Sequence, residues 1–404
     1  MRAFYLIHRI CMLSALALAS PLALSQAGPP SLKAAVDAAW QRSVQGRTLE
    51  ARRDEALAGR EAAQSWIAGS PSVGLSQRSD RWTNRNGFRE TDVSLSAPVW
   101  LPGQKSARQA LAQTSADDLE AQIANARLAI AGEVRERLWA VAAAHGALTQ
   151  AQDHLHHLEG LAEEVMRRVK AGDLARVDGL LAQQQVLAAQ GMVAAEQARL
   201  QQAQARYTAL TGQAAIAAAE PEPVATPNGQ HPRLLAARSG QERAQAAHRA
   251  VTAIRSDPPT VGVAMRREED SIVGGNHHSI GIAVQIPLGT NARNRPLETA
   301  ALTQIETASA ELAQAEAVLQ NEVDLARRQL ATAERASDTA VARATVMHEH
   351  TRLIEKAFRL GERGLAELLR SEALSHEADV AAHQQQVAVG LARARLNQAF
   401  GVLP

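Results

Sequence analysis

The strongest constraint on this chain is that it repeats itself. The stretch V-K-A-G-D-L-A-R-V-D-G-L-L-A (169–182) interrupts one long helical run, and F-R-L-G-E-R-G-L-A-E-L-L-R-S (358–371) interrupts another. Gly172 and Gly361 lie 189 residues apart, and the same offset links Pro98 to Pro287, Glu133-Val134 to Glu322-Val323, Leu180 to Leu369 and Gly212 to Gly401. One offset held across these landmarks marks a tandem duplication, which has to be recognised before a fold is assigned. Two units of that length nearly fill the 404 residues.

Each unit reads as helix, β-hairpin, long helix, tip turn and returning helix. In the first unit (28–212) a helical pattern runs from Ser31 to Ile67 and stops at Ala-Gly-Ser-Pro. Val73 and Leu75 then alternate with small or polar residues, and Val93, Leu95, Ala97 and Val99 do so after a polar loop, which predicts a hairpin over 71–100. From Gln104 the pattern is helical to about Lys170, roughly 100 Å at ~1.5 Å per residue. No ordinary globular domain needs such a helix, whereas a coiled coil does. A tip turn is predicted over 170–176, and a second helix of roughly 58 Å returns to Gly212. Residues 213–230, with Pro221, Pro223, Pro227 and Gly229, read as a linker. The second unit (231–404) repeats the order. Its hairpin is predicted over 259–287, with strands 260–266 and 279–287 about a polar loop from Arg267 to His278. A helix from about Arg295 to Arg359, a tip turn over 359–365 and a last helix from about Gly364 to Phe400 complete it.

Composition agrees with an extended helical body. Aromatics make up only 3% of the chain, too few for a compact core of this size, and Ala, Gln, Leu, Glu and Arg fill the long runs. A net charge of +1 and mixed charges along the helices give no basic footprint for nucleic acid. Arg2, His8 and Arg9, the apolar run from Ile10 to Leu18 and the small residues after Pro21 read as a signal peptide over 1–27. The sole cysteine, Cys11, falls inside it, so the processed chain has no thiol chemistry.

The four strands are too few to be stable as isolated hairpins, and in one chain they cannot close a barrel. Copies of the chain could close one by pooling them.

This layout resembles the TolC-like outer-membrane efflux channels over about residues 28–404. The resemblance rests on the duplicated tips, V-K-A-G-D-L-A-R-V-D and R-L-G-E-R-G-L-A-E-L. It rests also on the strand-to-helix junction S-A-P-V-W-L-P-G-Q-K-S-A-R, echoed as V-Q-I-P-L-G-T-N-A-R. It implies a mainly α fold with a small β part. Tandem helical hairpins would form a trimeric α-helical barrel, with four strands per chain contributing to a 12-stranded transmembrane β-barrel. It implies a homotrimer in outer-membrane lipid, with the helices in the periplasm. The implied partners are a periplasmic adaptor (membrane fusion) protein and an inner-membrane efflux pump of the RND type. Lipid cannot satisfy open backbone groups, so a closed barrel is also what physics asks for. The Trp-Leu-Pro-Gly junction looks most like the heavy-metal branch, whose cargo is metal cations. A channel for drugs or secreted polypeptide is the nearer alternative, and a periplasmic coiled-coil structural protein the alternative of another class.

The resemblance assigns adaptor docking to the tips, here Gly172, Asp173, Leu174, Gly361, Glu362 and Arg363. It assigns a periplasmic gate to Asp178, Glu367, Arg363 and Phe358. Asp178 and Glu367 are equivalent under the repeat offset, and each also suits a helix N-terminus. Position 370, where the family carries a second acid, is Arg370. Phe358 stands where the family carries Tyr, so Arg363 is expected to latch the first tip, with Asp178 as its partner. The histidines His154, His156 and His157, His277-His278, and His348 and His350 match no metal-ligand spacing and read as solvated, with transient cation contact as the alternative. Trp100 suits an interfacial aromatic belt, while Trp82 and Phe88 fit either a belt or loop packing. There is no nucleophile motif or phosphate loop. Nothing in the sequence indicates an enzyme, cofactor or metal centre.

Overall fold

A computed structural model describes residues 30–83, 87–227, 229–270 and 275–404. The expected signal peptide and Cys11 lie outside these residues. The order of elements is α1 (Leu32–Arg42), α2 (Val44–Gln64), β1 (Ser72–Ser79), β2 (Arg89–Pro98), α3 (Gln104–Ala171), α4 (Arg176–Thr211), α5 (Pro232–Ala253), β3 (Thr260–Asp270), β4 (Gly275–Gln285), α6 (Asn291–Arg359) and α7 (Leu365–Ala399).

The first helical run is two helices, not the single one expected from Ser31 to Ile67. Ser43 makes the break. Its N–H closes α1 by donating to the carbonyls of Ala39 and Trp40, and its hydroxyl opens α2 by accepting from the Gly46 N–H at 2.8 Å. A side-chain oxygen that caps the next helix competes with continuing the last one.

The second hairpin also differs from expectation. The stretch from Arg267 to His278 is mostly strand, because its polar residues pair across β3 and β4: Arg267 faces His278, Glu268 faces His277 and Glu269 faces Asn276. Alternating polar residues extend a ladder as well as apolar ones when their cross-strand partners suit them. Arg89, expected in the first polar loop, likewise opens β2 opposite Glu269.

The long helix α3 is the spine of the protomer and packs on α1, α2, α4, α5 and α7. Ile123, Leu128, Val134, Leu138 and Leu148 on α3 are buried, most of them against Trp40, Leu49, Leu200 and Tyr207 from the neighbouring helices. The segment between α4 and α5 crosses this spine without regular structure and is held by a polar clasp. Arg135, 2% exposed, donates two hydrogen bonds to Glu222 at 2.8 and 2.7 Å, and donates to Gln398 Oε1 and the Val402 carbonyl. Asn397 donates to the Pro223 carbonyl and accepts from the Ala225 N–H. A bidentate guanidinium–carboxylate pair joins three chain segments and leaves neither charge unpaired, as burial demands.

The contact of α3 with α7 is close. A Cβ added at Gly390 would lie 2.0 Å from the Trp139 indole. The absence of that carbon lets the two long helices, one from each repeat, meet.

Candidate functional site

Two regions stand out: the sheet at one end of the long helices and the paired turns at the other.

The four strands form one antiparallel sheet in the order β1-β2-β3-β4, so among the described residues the outer edges of β1 and β4 have no partner strand. The register sorts the residues onto two unlike faces. One carries the rows Leu75–Val93–Met265–Ile280, Val73–Leu95–Val263–Ile282 and Ala97–Val261–Val284. Val73, Leu75, Ile280 and Ile282 on this face are each about three-quarters exposed. Exposed Ile286 follows directly after β4, so the apolar band from Ile280 spans about 20 Å at ~3.4 Å per residue. The opposite face carries the rows Ser72–Ser96–Gly262–Ala283 and Gly74–Ser94–Ala264–Gly281. Further along that face Arg266 bridges Glu90 at 3.2 Å and Asp92 at 3.3 Å. A contiguous exposed apolar surface of this kind marks a face covered by something else, and two unpaired edges mark a sheet that other strands extend.

Aromatic residues sit at both ends of the band. Trp82, in the first hairpin turn, is 90% exposed, and Trp66, between α2 and β1, is 82% exposed. Trp66 was not singled out in the sequence, although its place just before a strand was the available signal. Trp100 is half-buried. Its indole N–H donates to the Ser65 carbonyl at 3.0 Å, and the Arg108 guanidinium lies over its ring. Phe88 closes the hairpin by accepting at its carbonyl from the Asp80 N–H.

The tips are two copies of one turn. Gly172 (φ 87°) and Gly361 (φ 79°) both take the left-handed conformation that glycine adopts without a Cβ penalty. At the first tip the Gly172 N–H donates to the Val169 carbonyl and the Asp173 N–H to the Arg168 carbonyl. At the second the Gly361 N–H donates to Phe358 and the Glu362 N–H to Ala357. Every atom of this paired closure obeys the 189-residue offset. Gly172, Asp173, Gly361, Glu362 and Arg363 are exposed, and Leu174 is half-buried under the first turn. Leu158, Leu161, Val165, Phe358, Leu365 and Leu368 pack the two hairpins together just behind the tips.

The expected gate residues divide. Asp178 and Glu367 both occupy the first turn of their helices, α4 and α7, where a carboxylate complements the helix dipole. Arg363 does not reach Asp178 within the chain. From the tip turn just before α7, its guanidinium donates to Glu367 in the first turn of that helix at 2.9 and 3.1 Å. The nearer carboxylate takes the Arg363 side chain because it lies four residues on in the same segment, so pairing orders little further chain. The link between the tips is instead Arg168, from the last turn of α3. It lies 5.0 Å from the centre of the Phe358 ring and donates to the Phe358 carbonyl at 3.5 Å. Phe358 is 2% exposed, so here the ring is a packing and cation-binding surface in place of a hydroxyl. A basic residue in a final helical turn was the sequence signal for Arg168.

The histidines do not behave as one group. His277 and His278 belong to β4 instead of a loop. His154 of α3 stacks on His376 of α7, His157 bridges to Glu372 at 3.0 Å, and His348 bridges to Asp379 at 2.6 Å. Among the described residues no group of three or more His, Cys, Asp or Glu side chains is arranged to hold a metal ion. Among the same residues no helix is long and apolar enough to cross a membrane.

No protein-family model matches the sequence, and no curated protein matches it. Solved structures do match along almost the whole chain. The outer-membrane protein VceC from Vibrio cholerae aligns with a TM-score of 0.72 at 17% identity, covering 92% of this chain and 96% of VceC. CusC, described for its folding and transmembrane channel formation, aligns with a TM-score of 0.74 at 14% identity, covering 92% of each chain. The MtrE outer-membrane channel of Neisseria gonorrhoeae, in its open state, aligns at 0.70 and 18% identity, covering 92% of this chain and 89% of MtrE. The chain has the fold of these TolC-like outer-membrane channels.

Proposed function

We propose that the chain is the outer-membrane channel subunit of a tripartite efflux system. Three copies pool their strands into a 12-stranded barrel, and the long helices continue it as a hollow helical barrel in the periplasm. The observation that carries this reading is the sheet. Four strands with one apolar face, one small and charged face and two open edges make sense as a third of a closed barrel, with the apolar rows on lipid and the Ser, Gly and Arg266 rows on a wet lumen. Trp66 and Trp82 then mark the two lipid–water boundaries. A periplasmic coiled-coil structural protein would have no use for that face.

The tips, at the other end of the helices, dock a periplasmic adaptor that joins the channel to an inner-membrane pump of the RND type. Docking falls to the exposed turns around Gly172, Asp173 and Leu174 and around Gly361, Glu362 and Arg363. The gate comprises Asp178, Glu367, Arg363 and Phe358, with Arg168 added by its contact to Phe358. Heavy-metal cations are the proposed cargo, on the strength of the Trp-Leu-Pro-Gly junction at 100–103.

The test is reconstitution of the purified protein in a planar lipid bilayer. Discrete single-channel conductance is expected, and its absence from correctly inserted protein overturns the channel reading. Gly172→Val or Gly361→Val should abolish export in cells while leaving the trimer and its insertion intact. Unchanged resistance in both removes the docking assignment. Export of metal cations, set against export of drugs by the same cells, decides the cargo.

A further inference from the structure

The joint between the two helical hairpins contains a histidine pair that the channel reading does not use. His154 on α3 and His376 on α7 lie face to face, their ring centres 4.0 Å apart and their planes within 7° of parallel. They line a cleft of about 300 Å³ between α3, α6 and α7. His154 lies about 27 Å back from the first tip at ~1.5 Å per residue, so any opening here is carried to the entrance by stiff helices. Stacked rings point their nitrogens sideways, parallel to one another, and so do not converge on a shared ion.

We propose that this stack is a pH-responsive joint, closed while both imidazoles are neutral and pushed apart when they gain protons. Two neutral aromatic rings stack favourably. Two imidazolium ions at the same separation repel, and the half-buried position of both rings leaves less water to screen the repulsion. The charge around the pair works in both directions. From α3, His157 opposes a charge on His154, while Asp153 lines the same cleft. From α7, Glu372 favours a charge on His154 and Asp379 favours one on His376. From α6, Arg352 and Glu355 face the cleft with opposite signs beside His348, which is itself bound to Asp379. Burial outweighs these carboxylates. It pushes His154 down to about 4, with the nearby His376 adding to the effect, and it pushes His376 down as well.

A neighbouring pair sets the other limit. The Glu372 hydrogen bond raises His157 above its ordinary value, against the burial that lowers it. The sign differs for the two pairs. Stability from the stack is present above the ordinary histidine value near 6.5 and is lost as pH falls toward 4. Stability from the His157–Glu372 bridge is present below 6.5 and is lost as pH rises through the raised value. The joint is therefore tightest in slightly acidic solution and loosens on both sides, more strongly on the acid side. The separated state gains on the order of tenfold between pH 7 and pH 5.

The inference concerns the joint alone and stands whether or not the chain forms a channel, so its test reads distance and not transport. Spin labels on Glu163→Cys and Arg370→Cys, in full-length protein with Cys11→Ser, report the separation of α3 from α7 behind the tips. The population at long distance should rise about tenfold from pH 7 to pH 5. In the double variant His154→Phe, His376→Phe, which keeps two stacked rings without titratable nitrogens, it should stay constant. An equal rise in that variant, or no rise in the parent, overturns the proposal. If the double variant misfolds, carbon NMR of the labelled His154 ring decides the matter: titration well below 6.5, coincident with the distance change, supports the joint, and titration at or above 6.5 rejects it.

Discussion

The long helices α3 and α6 descend from one duplicated segment and are nearly equal, at 68 and 69 residues, yet they are packed in opposite ways. Leucine, isoleucine, valine and Trp139 fill the buried face of α3, and Met166 is its one strongly exposed large apolar residue. The buried face of α6 is mostly alanine: Ala301, Ala308, Ala315, Ala326 and Ala344. Its leucines and valines point outward, among them Leu297, Leu325, Val346 and Leu353, each more than half exposed. Among the described residues α3 packs on five other helices, whereas α6 packs mainly on α5 and α7 and touches α3 through Phe358 at the tip. Duplication thus supplied two arms of one shape, of which one became the interior of the protomer and the other its open side. In the trimer proposed here, that open side lies against the next copy.

The largest difference between the arms should appear at equivalent positions 135 and 324. Arg135→Ala strands Glu222 in the clasp and should cost about 3–5 kcal/mol. Asp324→Ala, on the exposed face of α6, should cost under about 0.5 kcal/mol. Chemical denaturation of both variants checks this, and equal losses break the comparison.

Next come the apolar residues. Leu138→Ala in the α3 core should cost about 2–5 kcal/mol whatever the state of assembly. Val346→Asp on α6 should leave the protomer folded but remove the trimer from size-exclusion profiles in detergent. A trimer that tolerates Asp at 346 would move the subunit contact off this face.

The tips should respond alike, since both copies keep the same turn there. Gly172→Ala and Gly361→Ala each force a Cβ into the left-handed conformation with no clash beyond the backbone itself. Each should cost roughly 1–2 kcal/mol, with matching drops in melting temperature. The smallest effect belongs to Arg363. A double-mutant cycle with Glu367 should show coupling of about 0.3–0.5 kcal/mol, as for other exposed pairs one turn apart. A cycle with Asp178 should be additive in the isolated protomer.

Much of this architecture was legible because it rests on local periodicities that a duplication states twice. The helix from Gln104 ends at Ala171, within a residue of expectation, because glycine in the left-handed region stops it. The hairpin faces followed from strict alternation at Val93, Leu95, Ile280 and Ile282. What failed was polar in kind. Arg267 to Asp270 and Gly275 to His278 read as loop because most of these residues are hydrophilic, yet cross-strand partners make them strand. Arg363 was expected to pair with Asp178, whereas a nearer acid, Glu367, lies four residues on in the first turn of α7. Arg168, the Arg135 clasp and the His154–His376 stack depend on contacts between α3 and segments some 90 to 270 residues away, and no periodicity encodes them. The unequal burial of α3 and α6 was hidden for the same reason.

The central claim is that the free edges of β1 and β4 belong to other copies of the chain. Disulfide scanning tests it directly, with one cysteine among Ser72, Gly74 and Ser76 on β1 and one among Ser279, Gly281 and Ala283 on β4, residues that share the small-residue face. With Cys11→Ser, oxidation of the detergent-extracted protein should give cross-linked species that stop at three chains for at least one pairing. A stable monomer soluble without detergent, or no β1-to-β4 cross-link at any pairing, would contradict it.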